Sequence, residues 1–126
     1  MKKAVILFAH GARDPEWATP IHAVCAKLKA EAPDVLVEVA FLEFMSPSLA
    51  EAVGHLVAQL VTSVVVVPMF IAQGGHLKHD LPKVIEALCA AYPDVLITQA
   101  ETVGLNERVQ AAMAAHAINT VRSSDR

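Results

Sequence analysis

Two histidines and a glutamate follow apolar, β-branched segments of the sequence. His10 comes directly after the first segment, Glu43 after the second, and His76 a few residues beyond the third. Neutral imidazole binds cobalt, iron, nickel and zinc, and a carboxylate adds charge neutralisation. Three protein ligands leave coordination positions open for a substrate, and imidazole accepts protons near neutral pH. These residue types therefore predict chemistry that combines a divalent transition metal with proton removal.

Four apolar segments predict the strands that would position these side chains. The strands are expected at residues 4–9, 35–42, 63–70 and 95–98. Nearly continuous apolar runs are typical of parallel strands buried on both faces. Amphipathic segments alternate with them, so the order β-α-β-α-β-α-β-α predicts a single doubly wound α/β domain. We expect a four-stranded parallel sheet flanked by helices, in the flavodoxin-like strand order 2-1-3-4.

The helix boundaries follow from capping residues and prolines. In the second helix, Ser46 is the expected N-cap and Pro47 the first residue. The third helix is expected to begin near Asp80, with Pro82 in its first turn. The fourth helix is expected to end near His116. Residues 1–118 would then form the domain, and residues 119–126 a polar tail that frays.

The strand order is expected to bring the three candidate side chains together. In doubly wound sheets, ligands bind at the carboxyl ends of the strands, near the point where the strand order reverses. Taken singly, His10 could be a hydrogen-bonded loop residue, Glu43 a solvated carboxylate and Gly74-Gly75 a turn. Their joint placement after three strands favours a shared site. The other histidines are weaker candidates: the next turn is expected to point His79 away, and His22 and His55 are expected at the surface. His116 is expected at the end of the fourth helix, where its cation could favour the helix dipole.

Basic and apolar side chains surround the expected site. Arg13, Lys78 and Lys83 would form a basic rim that could pair with an acidic substrate. Apolar surface beside the rim would come from four side chains, of which Phe70 is expected to pack in the core: Phe44, Met45, Phe70 and Ile71. A flat apolar ring that carries carboxylates would suit this mixture.

The bulk composition limits the possible functions. The 126 residues are 55% hydrophobic and 18% charged, with a net charge of −3. This composition fits one folded domain, excludes a disordered chain, and gives little support to nucleic-acid binding. No apolar run is long enough to span a membrane. Cys25 and Cys89 are expected to be buried free thiols, which fits a cytoplasmic protein.

The sequence resembles the short form of the CbiX family of class II tetrapyrrole chelatases. The matching segments are residues 9–14 (Ala-His-Gly-Ala-Arg-Asp), 42–47 (Leu-Glu-Phe-Met-Ser-Pro), 67–76 with Asp-Leu-Pro at 80–82, and 102–104 (Thr-Val-Gly). They extend over nearly the whole chain in the order of the family. The third segment is the most specific, whereas a His-Gly pair alone would be a weak signal.

The resemblance implies a sirohydrochlorin chelatase, a lyase that inserts cobalt or ferrous iron into the tetrapyrrole for cobalamin or sirohaem biosynthesis. By position, His10 is the metal-binding proton acceptor, His76 the second histidine ligand and Glu43 the nearby carboxylate. The implied substrate-contacting positions are Ser46, Ile71, Ala72, Gln73, Gly74 and Gly75. One departure is Ala12, where the family often has serine. The family also implies a homodimer, since longer chelatases contain two such halves in one chain.

The resemblance and the residues together predict the course of the reaction. The substrates would be the tetrapyrrole and a divalent ion (Co²⁺, Fe²⁺ or Ni²⁺), with Arg13 and Lys78 holding the ring's carboxylates. No organic cofactor or ATP is expected, because the sequence lacks a Gly-x-x-x-x-Gly-Lys loop. A non-catalytic metal or tetrapyrrole carrier would use the same residues. A hydrolase with His10 as nucleophile is disfavoured, because no arginine precedes His10-Gly11 and no Gly-x-Ser-x-Gly turn is present.

Overall fold

The computed structural model describes residues 2–124. Four parallel strands form one sheet: β1 (Lys3–Ala9), β2 (Leu36–Phe41), β3 (Ser63–Pro68) and β4 (Leu96–Gln99). Their order is β2-β1-β3-β4, which confirms the predicted 2-1-3-4 order. The strand ends agree with the predicted ends within two residues. The helices are α1 (Thr19–Glu31), α2 (Leu49–Ala58), α3 (Gly75–Ala91) and α4 (Glu107–Ser124).

Apolar side chains fill a core layer on each face of the sheet. On one face, Ile6 of β1 packs with Val53 of α2 and Leu81 of α3. On the other face, Leu7 of β1 packs with Ile21 of α1. Successive strand residues point to opposite faces, so the continuous apolar sequence of β1 serves both layers. The sheet therefore holds the carboxyl ends of β1, β2 and β3 side by side.

Helix α2 begins two residues later than predicted, with Ser48 rather than Ser46 as its N-cap. The Ser48 hydroxyl accepts a hydrogen bond from the Glu51 N–H, and the Glu51 carboxylate accepts one from the Ser48 N–H. The second of these bonds lowers the pKa of Glu51. Pro47, predicted as the first helical residue, precedes the helix, and its carbonyl accepts a hydrogen bond from the Phe41 N–H at 2.9 Å. Residues 42–47 consequently turn back on the end of β2 before the helix starts.

Helix α3 begins at Gly75, five residues before the expected start near Asp80. The prediction was wrong because Pro82 was assumed to mark the first turn, whereas it lies inside the helix. Pro82 is on the exposed side of α3, where water can replace the backbone hydrogen bond that proline cannot make. His76 and Lys78 are therefore helical residues and not part of a loop.

Helix α4 continues through Ser124, so residues 119–124, expected to form a polar tail, are helical in the structure; residues 125 and 126 lie outside the described part. His116 lies inside α4 and not at its end. None of the described residues of α4 is buried, and its main contacts are with the short turn Val103–Leu105. The part of the chain that the structure describes contains no helix long and apolar enough to cross a membrane.

Candidate active site at the carboxyl edge of the sheet

Backbone hydrogen bonds join His10 to Glu43 at the ends of β1 and β2. The Glu43 N–H donates to the His10 carbonyl at 3.0 Å, and the Leu42 N–H donates to the Ala9 carbonyl at 2.9 Å. Gly11 has a φ of 91°, and a Cβ there would lie 1.9 Å from the Glu43 carbonyl oxygen. Only glycine allows this approach, so Gly11 keeps the two candidate residues on adjacent turns.

The imidazole of His10 packs against the loop that follows β3. Its ring centroid is 4.4 Å from that of Phe70, with a 54° angle between the rings. Phe70 is 4% exposed and also makes an edge contact with Phe8, at 6.0 Å between centroids. Phe70 thus packs in the core as predicted. One face of the exposed His10 side chain is supported by this buried ring, between the turn that carries Glu43 and the loop after β3.

The loop after β3 is fastened to the segment that leads into α4. The Gly104 N–H donates to the Phe70 carbonyl at 2.9 Å, and a Cβ at Gly104 would lie 1.8 Å from the Ile71 carbonyl oxygen. Farther along the loop, the Gln73 side-chain Nε2 is buried without a hydrogen-bond partner among residues 2–124. An unpaired buried amide is costly, so the position of Gln73 is not explained by contacts within the described residues.

His76 lies in the first turn of α3 and pairs with Asp80. The sequence analysis did not identify this pair. The His76 Nε2 is 2.8 Å from the Asp80 Oδ2. Both residues line an apolar cavity of about 340 Å³ between α2 and α3, together with Leu42, Ser48 and other residues. The His-x-x-x-Asp spacing could have revealed this pair, because residues four apart are neighbours on a helix.

The three candidate ligands share this edge but do not form a closed metal centre. Within residues 2–124, no three His, Cys, Asp or Glu side chains are close enough to hold one ion together. His10 packs on Phe70, Glu43 lies on an exposed turn, and His76 pairs with Asp80. The chain thus places the three candidate residues at one edge of the sheet, but it does not group their ligating atoms around a common point.

Of the three residues expected to form a basic rim, Arg13 lies near the turn of Glu43, and Lys78 and Lys83 are exposed on α3. The Arg13 guanidinium lies 5.0 Å from the centroid of the Phe44 ring, a cation–π contact with a ring that is 58% exposed. The remaining expected substrate contacts that are exposed at this edge are Ser46, Ile71, Ala72, Gly74, Gly75 and Lys78. His79 is also exposed.

His22 and His55 lie on α1 and α2. His22 is exposed, as expected. His55 is exposed as well, but its Nδ1 lies 2.9 Å from the Glu38 Oε1. That pair lines a separate cavity of about 610 Å³ along β2, with Lys29 and Gln59. Neither histidine belongs to the edge that carries His10.

Comparison with known proteins shows the same family throughout. The CbiX family model matches residues 4–120. The sirohydrochlorin cobaltochelatase of Sulfurisphaera tokodaii is 35% identical over 97% of both chains. The sirohydrochlorin ferrochelatase of Bacillus subtilis is 30% identical over 90% of this chain but only 43% of its own length.

Solved structures give the same result. A CbiX protein of Marinobacter aquaeolei VT8 superposes with a TM-score of 0.85 at 30% identity, over 96% of this chain and 98% of that one. The sirohydrochlorin chelatase SirB of Bacillus subtilis subspecies spizizenii, in complex with cobalt, has a TM-score of 0.79 at 28% identity. It matches 94% of this chain, which spans about half of SirB. The match of the family model to residues 4–120 and a relative that is 35% identical over nearly the full length show that the chain belongs to the CbiX family.

Proposed function

We propose that the chain is a sirohydrochlorin chelatase that inserts Co²⁺ or Fe²⁺ into the tetrapyrrole. The observation that carries the proposal is the position of the His10 imidazole, supported by Phe70 and hydrogen-bonded through its backbone to Glu43. An exposed base on a turn adjacent to one that carries a carboxylate can receive both a metal ion and the protons that the ring releases. The ion is a substrate here, so it must leave the protein for the ring.

His10, Glu43 and His76 would bind the ion during the reaction. Their separation in the monomer supports a weak, open site, since exposed side chains can turn toward an ion without holding it in a closed cage. The ring nitrogens then replace the protein ligands one at a time. His10 accepts one ring proton, and Glu43 or solvent accepts the second. A tightly preformed site would oppose this transfer.

The tetrapyrrole would lie across the carboxyl edge of the sheet. Its carboxylates would pair with Arg13 and Lys78, and the unpaired Gln73 amide would donate to one of its oxygens. Ring contacts would come from Ser46 and from the loop Ile71, Ala72, Gly74 and Gly75. The exposed Phe44 ring and Ile71 side chain supply apolar surface, which suits a flat macrocycle.

A homodimer would cover apolar surface that the monomer leaves open. The apolar residues Met113, Ile118 and Val121 of α4 are 41%, 49% and 62% exposed. On the sheet face that packs against α1, the portion formed by β3 and β4 is also open: Val65 is half-buried and Leu96 is 60% exposed. A second copy that lays its α4 on this face would bury both surfaces. The free thiols of Cys25 and Cys89 support a cytoplasmic location.

The variants His10→Ala and His76→Ala test the site directly. Each is expected to lose nearly all metal insertion while the circular dichroism spectrum stays that of the wild type, because both side chains are exposed. His55→Ala is the matched control, since His55 is exposed on α2 and lines a different cavity. Wild-type turnover in either of the first two variants would refute the assigned roles.

A further inference from the structure

We propose that Asp80 is a positioning residue that fixes the orientation and tautomer of His76, so that His76 offers its Nδ1 lone pair to the divalent ion. This inference rests on the proposed role of His76 as a metal ligand. The inference adds two features to that role. One is a second residue, Asp80, that would not itself contact the ion, and the other is the specific ring nitrogen of His76 that would bind it.

The geometry of the pair supports a positioning role. Asp80 follows His76 by four residues on α3, and the Nε2–Oδ2 distance of 2.8 Å is a close contact between a ring nitrogen and a carboxylate oxygen. The His76 side chain is 94% exposed, whereas that of Asp80 is 46% exposed. The next residue, Leu81, is 2% exposed and packs in the core. Asp80 thus stands on an anchored part of α3, while His76 stands near the helix end with little packing of its own.

The chemistry of imidazole gives this contact a consequence for metal binding. A carboxylate oxygen is an acceptor only, so its close contact with Nε2 favours the tautomer of neutral His76 that carries the proton on Nε2. The free lone pair is then on Nδ1. Histidines that bind metals commonly donate their other ring N–H to a carboxylate, which fixes the ring and increases its basicity as a ligand. His76 and Asp80 form half of such an arrangement before any ion binds.

The surroundings of the pair are consistent with use during substrate binding. His76 and Asp80 line the same 340 Å³ cavity, whose other lining is mostly apolar, including Leu77 and Val84. An unoriented histidine beside an apolar cavity would sample several rotamers, and ordering it would cost entropy when the ion binds. A histidine already held by Asp80 would pay less of that cost. The expected effect is therefore on the binding of the metal ion and not on the binding of the tetrapyrrole.

The test compares Asp80→Ala with Asp80→Asn in steady-state insertion of Co²⁺ into sirohydrochlorin. Asp80→Ala should raise the KM for Co²⁺ by about 10- to 100-fold, the usual effect of losing such a partner, and leave the KM for sirohydrochlorin unchanged. Asp80→Asn should restore most of the wild-type KM for Co²⁺, because the amide oxygen can accept the same hydrogen bond. Glu86→Ala removes an exposed carboxylate from the same helix and should match the wild type.

Other outcomes would overturn the proposal. An Asp80→Asn variant as impaired as Asp80→Ala would show that the negative charge matters and not the orientation. A further loss when Asp80→Ala is added to His76→Ala would show that Asp80 acts independently of His76. If Asp80→Ala has no effect while His76→Ala is inactive, only the positioning role fails. If His76→Ala is fully active, the proposed metal site fails as well. Circular dichroism identifies any variant that fails to fold. If Asp80→Ala fails to fold, the KM of Asp80→Asn for Co²⁺ still tests the positioning role.

Discussion

At the scale of single residues, His10 has the closer of the two contacts between a histidine and a buried aromatic ring among the described residues. Its ring centroid lies 4.4 Å from that of Phe70, whereas the His22 ring meets the edge of Phe41 at 6.4 Å. A supported ring loses less freedom when it binds an ion or receives a proton. Phe70 thus contributes to the site although it lies beneath the surface.

Phe70→Leu is expected to reduce metal insertion more than its effect on folding explains. The leucine side chain keeps the position apolar, so the free energy of unfolding should fall by roughly 1 kcal/mol, while the ring contact with His10 is lost. Urea denaturation and kcat for insertion are the two measurements. Val53→Ala, in the same core layer but away from His10, should cost at least as much stability and retain kcat. An unchanged kcat in Phe70→Leu would contradict the role of this contact.

The positions of His10 and Glu43 were predicted from the sequence, whereas the pairing of His76 with Asp80 was missed although their spacing suits a helix. His10 and Glu43 follow buried strands, and the carboxyl ends of parallel strands lie at the same edge of a sheet. The His76–Asp80 contact depends on where α3 begins, and Pro82 suggested a start after His76. The sequence analysis also expected the three ligating groups to come together, but among the described residues they are not grouped, because that depends on rotamers as well as on strand order.

At the scale of elements, two glycines set the spacing of the turns. Gly11 admits the Glu43 backbone, and Gly104 admits the Ile71 backbone. The contact at Gly104 links the loop after β3 to the start of α4, which lies beyond β4 in sequence. Local sequence identified Gly104 only as part of a family motif, because the need for glycine arises from a contact between residues far apart in the chain.

Gly104→Ala is expected to displace the Ile71 loop, since the added Cβ would lie 1.8 Å from a backbone oxygen. We expect a loss of roughly 1–3 kcal/mol in the free energy of unfolding, as for other overpacked sites, and reduced insertion. Gly54→Ala is the matched control. Its Cβ would meet only the Tyr92 hydroxyl, at 3.6 Å, and alanine favours the interior of α2 by about 0.5–1 kcal/mol. Equal stability of the two variants in urea denaturation would contradict this account.

At the scale of the whole molecule, the strand order and the helix α4 differ in how far sequence could predict them. Buried parallel strands joined by helices allow few topologies, so the order β2-β1-β3-β4 followed from the pattern. The alanine-rich sequence of α4 suits a helix that packs on its own sheet or on a partner, and its local pattern is the same in both cases. The 55% hydrophobic content suits fully buried strands as well as an interface with another copy, and it does not locate an interface.

Met113→Glu is expected to convert a dimer into a monomer. A charge on the exposed apolar side of α4 would have to be buried without a partner if that helix packs on a second copy. Size-exclusion chromatography with light scattering measures the mass of each species. Asn119→Glu adds the same charge at a polar position of α4 and should leave the dimer intact. A wild-type protein that is monomeric at all concentrations would contradict the proposed interface.

The claim that the carboxyl edge of this sheet catalyses metal insertion is tested most directly by a turnover measurement. Sirohydrochlorin and Co²⁺ in excess are mixed with a small amount of protein, and the visible spectrum of the tetrapyrrole is followed against a protein-free control. A chelatase converts many equivalents of the ring per protein chain. Conversion of one equivalent or less, or a rate equal to that without protein, would show that the same residues bind without catalysing and would contradict the proposed function.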